Sequence, residues 1–336
     1  MAAPFTRAAI VGTGLIGSSL ALALRAGRQP PQIIGFDLNG DSRRGAGGLK
    51  TPTGQKAYDE VTGNLPRALR GADLVVLSVP VRAMELLLRE IGLLAGPGTV
   101  VTDTGSTKQQ ILAWAEELLP ETVQFVGGHP MAGKVLAGPW EADGAIFQGA
   151  TYCLCPLPRT DRTAVERVVG LVESLGATPY FVDAHEHDGL VAAISHLPYL
   201  ASVGIMNAVA GGRGWREAAT LAAGGFSTAT HLTESDPQMF ADICLTNQEA
   251  IVRQIEGLVE ELTSLRSAIA TGDAALKQRF DLAQQRHREW LSGRAAEGGE
   301  PESPTIDTSA MRPQSLFLPR GLGGLLRRGK HGEKEE

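Results

Sequence analysis

Cysteine is scarce in this chain. There are three in 336 residues, Cys153, Cys155 and Cys244, and no CxxC pair. An odd, unpatterned set of thiols argues against a disulfide framework or a cysteine zinc centre and points to a reducing compartment. Positive charge is not in excess either. Lys and Arg number 31 against 37 Asp and Glu, a formal net charge of -6. No general affinity for nucleic acid is expected, and an acidic ligand must be met by local cations. A clean apolar run is also missing near the start. Residues 8–24 are largely apolar, but Gly12, Gly14, Gly17, Ser18 and Ser19 interrupt them, no Lys/Arg-rich leader precedes them and no small-residue cleavage site ends them. Neither a signal peptide nor a membrane span fits that pattern. The expectation is a cytoplasmic protein with neither nucleic acid nor membrane as partner.

What is present is an ordinary globular balance, 43% hydrophobic and 20% charged, in a chain long enough for two domains. The first part alternates strand and helix. Short apolar runs at residues 8–11, 33–36, 74–79, 100–102 and 125–126 read as strands, with helices at 16–25, 82–94 and 108–119 between them. The run LVVLSV, residues 74–79, has the continuous apolar character of a strand buried on both faces. This order predicts an α/β, Rossmann-like, doubly wound and mainly parallel sheet. Residues 152–155 and 179–182 read as further strands around a helix at 164–175. Five glycines in residues 40–54 predict a loop or a frayed helix there. Beyond about residue 183 the pattern is helical throughout. Ile251, Ile255, Leu258, Leu262, Leu265 and Ile269 are spaced 4-3-4-3-4, one apolar seam along a long helix. Leu276, Phe280, Ala283, His287 and Trp290 continue it after a break. The seam suits packing within the domain or a helix–helix dimer interface, and its length favours a homodimer. The expected domains are a Rossmann-like domain over residues 5–183, an all-helical dimerisation domain over 184–292, and a disordered tail over 293–336.

The run Gly12-Thr13-Gly14-Leu15-Ile16-Gly17 follows the first strand and opens a helix. There Gly12 permits a tight turn, Gly14 lets a pyrophosphate approach the backbone, and Gly17 lets helix and strand pack closely. The helix N-terminus, beginning at Leu15 and Ile16, offers free N–H groups to the phosphates. Asp37 stands 20 residues past Gly17 at the end of the next strand. A carboxylate there accepts from the adenosine ribose and repels the extra phosphate of NADP, which favours NAD. Arg43 and Arg44 nearby are either a solvated pair or a phosphate contact. Ser78, Val79 and Pro80, with Thr104 after the following strand, fall at the carboxyl rim where ligands of open α/β sheets bind.

Two histidines stand out. His129 lies in a Gly/Pro loop at the same rim, Gly128-His129-Pro130-Met131-Ala132-Gly133, and His196 lies in Ser195-His196-Leu197-Pro198. Each alone is more often structural than catalytic. With GTGLIGSSLA, LSVPV, DTGSTK and SDPQMFADI, the phrases GGHPMAG and SHLP make the chain resemble prephenate/arogenate dehydrogenases over residues 8–290. The resemblance implies a Rossmann-like domain with a helical dimerisation domain. It also implies NAD-dependent oxidative decarboxylation of prephenate to 4-hydroxyphenylpyruvate in tyrosine biosynthesis, or of arogenate to tyrosine. By the same resemblance His129 is the catalytic histidine at the substrate hydroxyl, Ser106 a serine beside it, and His196 a second active-site histidine.

The resemblance also implies an arginine that binds a substrate carboxylate just after a threonine. Here the phrase is Phe226-Ser227-Thr228-Ala229-Thr230-His231, and His231 holds that position. Histidine is shorter and has fewer donors. The carboxylate then falls to His231 itself or to another cation such as Lys134, or the substrate is arogenate. Other classes account for fewer of these residues. A phosphogluconate-like hydroxyacid dehydrogenase would want a lysine in the helical half, where Lys277 alone lies between residues 195 and 290. A non-catalytic NAD-sensing protein leaves His129, Ser106 and His196 without a purpose. The run His185-Glu186-His187-Asp188 could place two histidines on one side of a metal if it were extended, but a third ligand is not evident, so no metal is expected.

Overall fold

The computed structural model describes residues 5–134 and 136–296. The part of the expected tail from residue 297 onward lies outside the described residues. The chain divides into two compact units between Asp273 and Ala274.

The first unit opens with β1 (Arg7–Val11), α1 (Leu15–Ala26), β2 (Gln32–Phe36), α2 (Gly40–Gly48), β3 (Glu60–Thr62), α3 (Leu65–Leu69), β4 (Leu74–Leu77), α4 (Ala83–Leu94), β5 (Val100–Asp103), α5 (Gln109–Leu118) and β6 (Gln124–Pro130). β7 (Thr151–Pro156), α6 (Arg162–Ser174) and β8 (Thr178–Phe181) complete one eight-stranded sheet of order β3-β2-β1-β4-β5-β6-β7-β8. Every pairing is parallel except β6 with β7. The fold class expected from the alternating pattern is therefore the one observed.

Strand periodicity explains the two-sided core. Ala8, Ile10, Leu74, Val76 and Val100 face one apolar layer with Leu20 and Leu24 of α1 and Val168 and Val172 of α6. Their neighbours Ala9, Val11, Val75, Leu77 and Val101 face the other, with Met84, Leu88 and Ile91 of α4 and Ile111 of α5. Alternate side chains of one strand serve opposite faces, so a strand covered on both sides must be apolar at every position.

Two elements differ from expectation. The glycine-rich segment after Asp37 forms the nine-residue helix α2. Asn39 caps it by accepting from Asp41 N (2.8 Å) and Ser42 N (3.1 Å), which offsets the poor helix propensity of glycine. Gly45 is there for space: a Cβ would come within 2.9 Å of the Trp140 ring. The edge strand β3 is three half-buried residues and carries no periodic signal.

From Asp183 onward the first unit is helical: α7 (Ala184–Val191), α8 (Leu197–Ala210), α9 (Trp215–Leu221), α10 (Gly224–Thr230), α11 (Pro237–Thr246) and α12 (Gln248–Thr271). A π turn, Ala192–His196, joins α7 to α8. The continuous helical run Ala184–Ala210 has a mean hydropathy of 1.5 in its most apolar window, enough by composition to cross a membrane. It nevertheless carries the buried polar residues His187, Asp188, His196 and Ser202, which hydrocarbon would not satisfy and which build a polar site on one side of the run. The second unit contains α13 (Leu276–Ala296), which continues four residues beyond the expected domain end at 292.

Candidate active site

The dinucleotide rim follows from backbone contacts. Gly12 has φ +100, and a Cβ on it would stand 2.1 Å from the Ser78 carbonyl oxygen. A Cβ on Gly17 would stand 2.0 Å from the Gly12 oxygen. Both positions therefore demand glycine for packing. Gly14 differs: a Cβ there would meet nothing within 4 Å. The open space lies over the start of α1, where unpaired N–H groups suit a pyrophosphate. Asp37 anchors the turn, its Oδ2 accepting from Thr13 N (2.9 Å) and Thr13 Oγ1 (3.1 Å) and its Oδ1 from Asn39 N (2.8 Å). Arg43 donates to the carbonyls of Asp37 and Leu38, both at 2.8 Å, and Arg44 pairs with Asp41 on the surface. Next along the rim, Thr104 Oγ1 donates to Ser78 Oγ at 3.2 Å. β4 ends at Leu77, so Ser78, Val79 and Pro80 form the turn after it rather than the strand's last residues. The glycines, the open space at Gly14 and the Asp37 carboxylate together fit a dinucleotide.

A buried polar cluster gathers around His129 at the carboxyl end of β6. His129, the last residue but one of β6, is 8% exposed, and its Nδ1 lies 2.9 Å from His187 Nε2. His187 Nδ1 lies 2.8 Å from Asp188 Oδ1. The Asp188 carboxylate also accepts from Lys108 N (2.7 Å) and Gln109 N (3.0 Å), the first amides of α5. Asn247 Nδ2 donates to the Asp188 carbonyl at 2.8 Å and sits 3.4 Å from His196 Nδ1. His196 is fully buried, and its Nε2 has no partner among the described residues. Burial, then the neighbouring His187, Lys108 and His196, hold the His129 pKa well below the usual imidazole range. Burial likewise pushes His196 down to about 4. Both rings are neutral near pH 7.

The π turn is what delivers His196. A π turn inside a helix shifts the residues after it around the axis and is frequent at functional sites. Ser106 lies half-buried in the loop after β5, and its hydroxyl has no hydrogen-bond partner among the described residues. His231 opens a short 3-10 turn after α10, exposed, with Nδ1 donating to the Thr228 carbonyl at 2.8 Å. Lys134 is exposed and donates to the Glu141 carbonyl at 3.0 Å. No hydrogen bond or ion pair among the described residues ties His231 or Lys134 to His129, Ser106 or His196.

Residues 185–188 are helical, as expected beyond about residue 183, and do not take the extended form that two histidines facing one way would need. They lie on α7, where His185 is exposed and His187 buried, and both ring nitrogens of His187 are engaged within the cluster. Sequence reasoning missed His187, Asp188 and Asn247 as site residues. For His187 and Asp188 the available signal was a His-Asp pair within an apolar helical stretch just before SHLP; Asn247 carried no such signal.

Family models match almost the whole described chain. One for the prephenate dehydrogenase nucleotide-binding domain covers residues 20–180, and one for the prephenate dehydrogenase dimerization domain covers residues 183–282. The chain belongs to the prephenate dehydrogenase family. The prephenate dehydrogenase of Bacillus subtilis (strain 168) is 31% identical over 287 residues, 84% of this chain and 75% of that enzyme. The cyclohexadienyl dehydrogenase of Zymomonas mobilis is 31% identical over 271 residues, 80% of this chain and 90% of that one. The structure of prephenate dehydrogenase from A. aeolicus in complex with hydroxyphenyl propionate and NAD+ superposes with a TM-score of 0.79 and 27% identity, covering 86% of this chain and 99% of that one.

Proposed function

We propose that this chain, a prephenate dehydrogenase family member, converts prephenate to 4-hydroxyphenylpyruvate with NAD, a step towards tyrosine. The observation that carries the reading is His129, a neutral imidazole at the carboxyl rim, held so by burial and with Nδ1 already bonded. Its other nitrogen, Nε2, is left to meet a substrate. Prephenate carries a hydroxyl and a hydrogen on one ring carbon and a carboxylate and a pyruvyl group on the opposite carbon. NAD, when bound, supplies the hydride acceptor. His129 Nε2 takes the hydroxyl proton as the C–H electron pair departs, which leaves a carbonyl on the ring. The bond to the ring carboxylate then breaks, its electron pair enters the ring, carbon dioxide leaves, and a proton returns to the oxygen to give the phenol. His129 is uncharged before the reaction and again after it.

His196 binds rather than transfers. Asn247 donates to its Nδ1, so Nε2 carries the proton, and this buried N–H without a partner suits a substrate carboxylate. By the family resemblance Ser106 supplies an orienting hydroxyl for the two histidines, and His231 or Lys134 meets the second carboxylate. The cofactor contacts are Gly12, Gly14, Leu15, Ile16, Gly17, Asp37, Ser78, Val79, Pro80 and Thr104. Asp37 favours NAD, because Arg43, the nearby cation best placed to meet a 2′-phosphate, is spent on two backbone carbonyls. The working unit is a cytoplasmic homodimer with its NAD-binding domain over residues 5–183 and its helical domain from 184 to 292.

The test is NADH formation followed at 340 nm (a property of the cofactor) with NAD and either prephenate or arogenate, for wild type and His129→Ala. Turnover of prephenate that His129→Ala lowers by roughly 10²–10⁴ supports the reading. Turnover of arogenate alone moves the substrate assignment. NAD binding without turnover of either would bring the NAD-sensing alternative forward.

A further inference from the structure

We propose that Asp188 and His187 are positioning residues that fix the tautomer of His129, so that Nε2 is always the bare nitrogen. The inference rests on the reading of His129 as the proton acceptor and adds the device that prepares it.

Asp188 is the fixed end of the chain of hydrogen bonds. Its carboxylate accepts two backbone N–H groups from the start of α5, at 2.7 and 3.0 Å. Lys108, at the N-cap of that helix, supplies no side-chain cap, so Asp188 caps α5 from α7. A carboxyl group bonded to two N–H donors is an acceptor on both oxygens. The third contact, to His187 Nδ1 at 2.8 Å, therefore has the ring as donor. A neutral imidazole has one N–H, so His187 Nε2 is bare and accepts. It lies 2.9 Å from His129 Nδ1, which must then carry the His129 proton. The remaining nitrogen, Nε2, is left with its lone pair, the form a general base needs.

The other groups around His129 do not set this order. Lys108 is committed to Asp103. His196 is bonded through Nδ1 to Asn247. Cys153 is the cross-strand neighbour of His129 on β7, and burial raises its thiol pKa. Without the pair, the two neutral forms of His129 would both be populated, and only one is productive.

The experiment compares wild type, His187→Gln and His187→Phe, all checked for folding by circular dichroism and for NAD binding. Gln keeps an oxygen that accepts from His129 Nδ1, whereas Phe offers no acceptor. In His187→Phe, kcat is expected to fall roughly 10- to 100-fold, a part of what a general base contributes, with KM for NAD unchanged. His187→Gln is expected to restore most of the loss. The direct readout is nitrogen-15 NMR of ring-labelled histidines, with His129 assigned by its absence in His129→Asn. Wild type should show His129 protonated at Nδ1 and bare at Nε2, and His187→Phe a mixture. A wild-type His129 protonated at Nε2 overturns the inference. So does a His187→Phe protein whose tautomer and kcat match wild type. If His187→Phe does not fold, the wild-type and His187→Gln spectra decide. The spectra need no substrate, so failure of prephenate turnover with the tautomer in place would sink the functional reading and leave this one standing.

Discussion

Lys108 and Asp103 form an ion pair in which neither side chain reaches solvent. The same carboxylate accepts Gly105 N at 2.8 Å and Gly128 N at 2.9 Å. It thus ties the loop that carries Ser106 to the strand that carries His129. Removing one member of a buried pair leaves an uncompensated charge, at a cost of about 3–5 kcal/mol. Lys108→Met is expected to lower stability by that order in urea unfolding and to lower kcat by displacing the Ser106 loop and the end of β6 from one another. Asp103→Asn combined with Lys108→Met removes the orphaned charge and keeps an acceptor oxygen for one of the two glycine amides. The double variant should be more stable than Lys108→Met. A double variant no more stable than the single one would mean that the pair's charge is not what holds the loop and the strand together.

The three glycines of the first turn separate packing from binding. Gly12→Ala and Gly17→Ala drive a Cβ into backbone oxygens at 2.1 and 2.0 Å. Each is expected to lower stability by roughly 1–3 kcal/mol or more. Gly14→Ala meets nothing within 4 Å and should melt within a degree or two of wild type, with NAD affinity lowered. Thermal melts with and without NAD measure both. A large loss of stability in Gly14→Ala would remove the argument that its open space belongs to the cofactor.

Acid sensitivity follows from the buried histidines. His196 has a folded pKa near 4 against an ordinary value of 6.5, and His129 is shifted the same way. Between those values the unfolded chain binds more protons than the folded one, so stability falls as pH falls. The contribution is fully present above about pH 6.5 and lost on the way down to about 4, on the order of 3 kcal/mol for His196 alone. Urea unfolding across that window should show a steep decline that His196→Asn flattens. An equal slope in the variant would rule His196 out as a source.

Most of the sheet was legible because a strand covered on both faces writes itself as an unbroken apolar run, as Leu74–Leu77 does. Helix α2 was not, because its cause is a cap from Asn39 and the shape of Trp140, and local propensity sees neither. In the site, His129 and His196 stood out through their motifs. His187 and Asp188 did not, because their role depends on α7 packing against the start of α5, a contact across 80 residues of sequence. The displaced phase of His196 depends on a π turn that no periodicity records.

The seam of α12 gives the last prediction. Ile251 at its start is buried against Ala192 and Ile243. Further along, Val259 and Leu262 are each 55% exposed and Ile269 is 64% exposed. Within α8, Ile205 and Val209 are also exposed. Apolar side chains repeated along one helix and left open to water favour a partner surface over solvent. The homodimer proposed above would cover them with a second copy of the same seam. Leu262→Glu would place two carboxylates near each other across a twofold interface, or simply improve the solubility of a monomer. Sedimentation of wild type should give twice the chain mass, and Leu262→Glu should shift the equilibrium towards the monomer by roughly 10-fold or more in dissociation constant. A surface control such as Arg253→Glu, already ion-paired with Glu249 on the solvent side, should leave the mass unchanged. A wild-type monomer, or a Leu262→Glu dimer as tight as wild type, would assign the seam to packing within one chain.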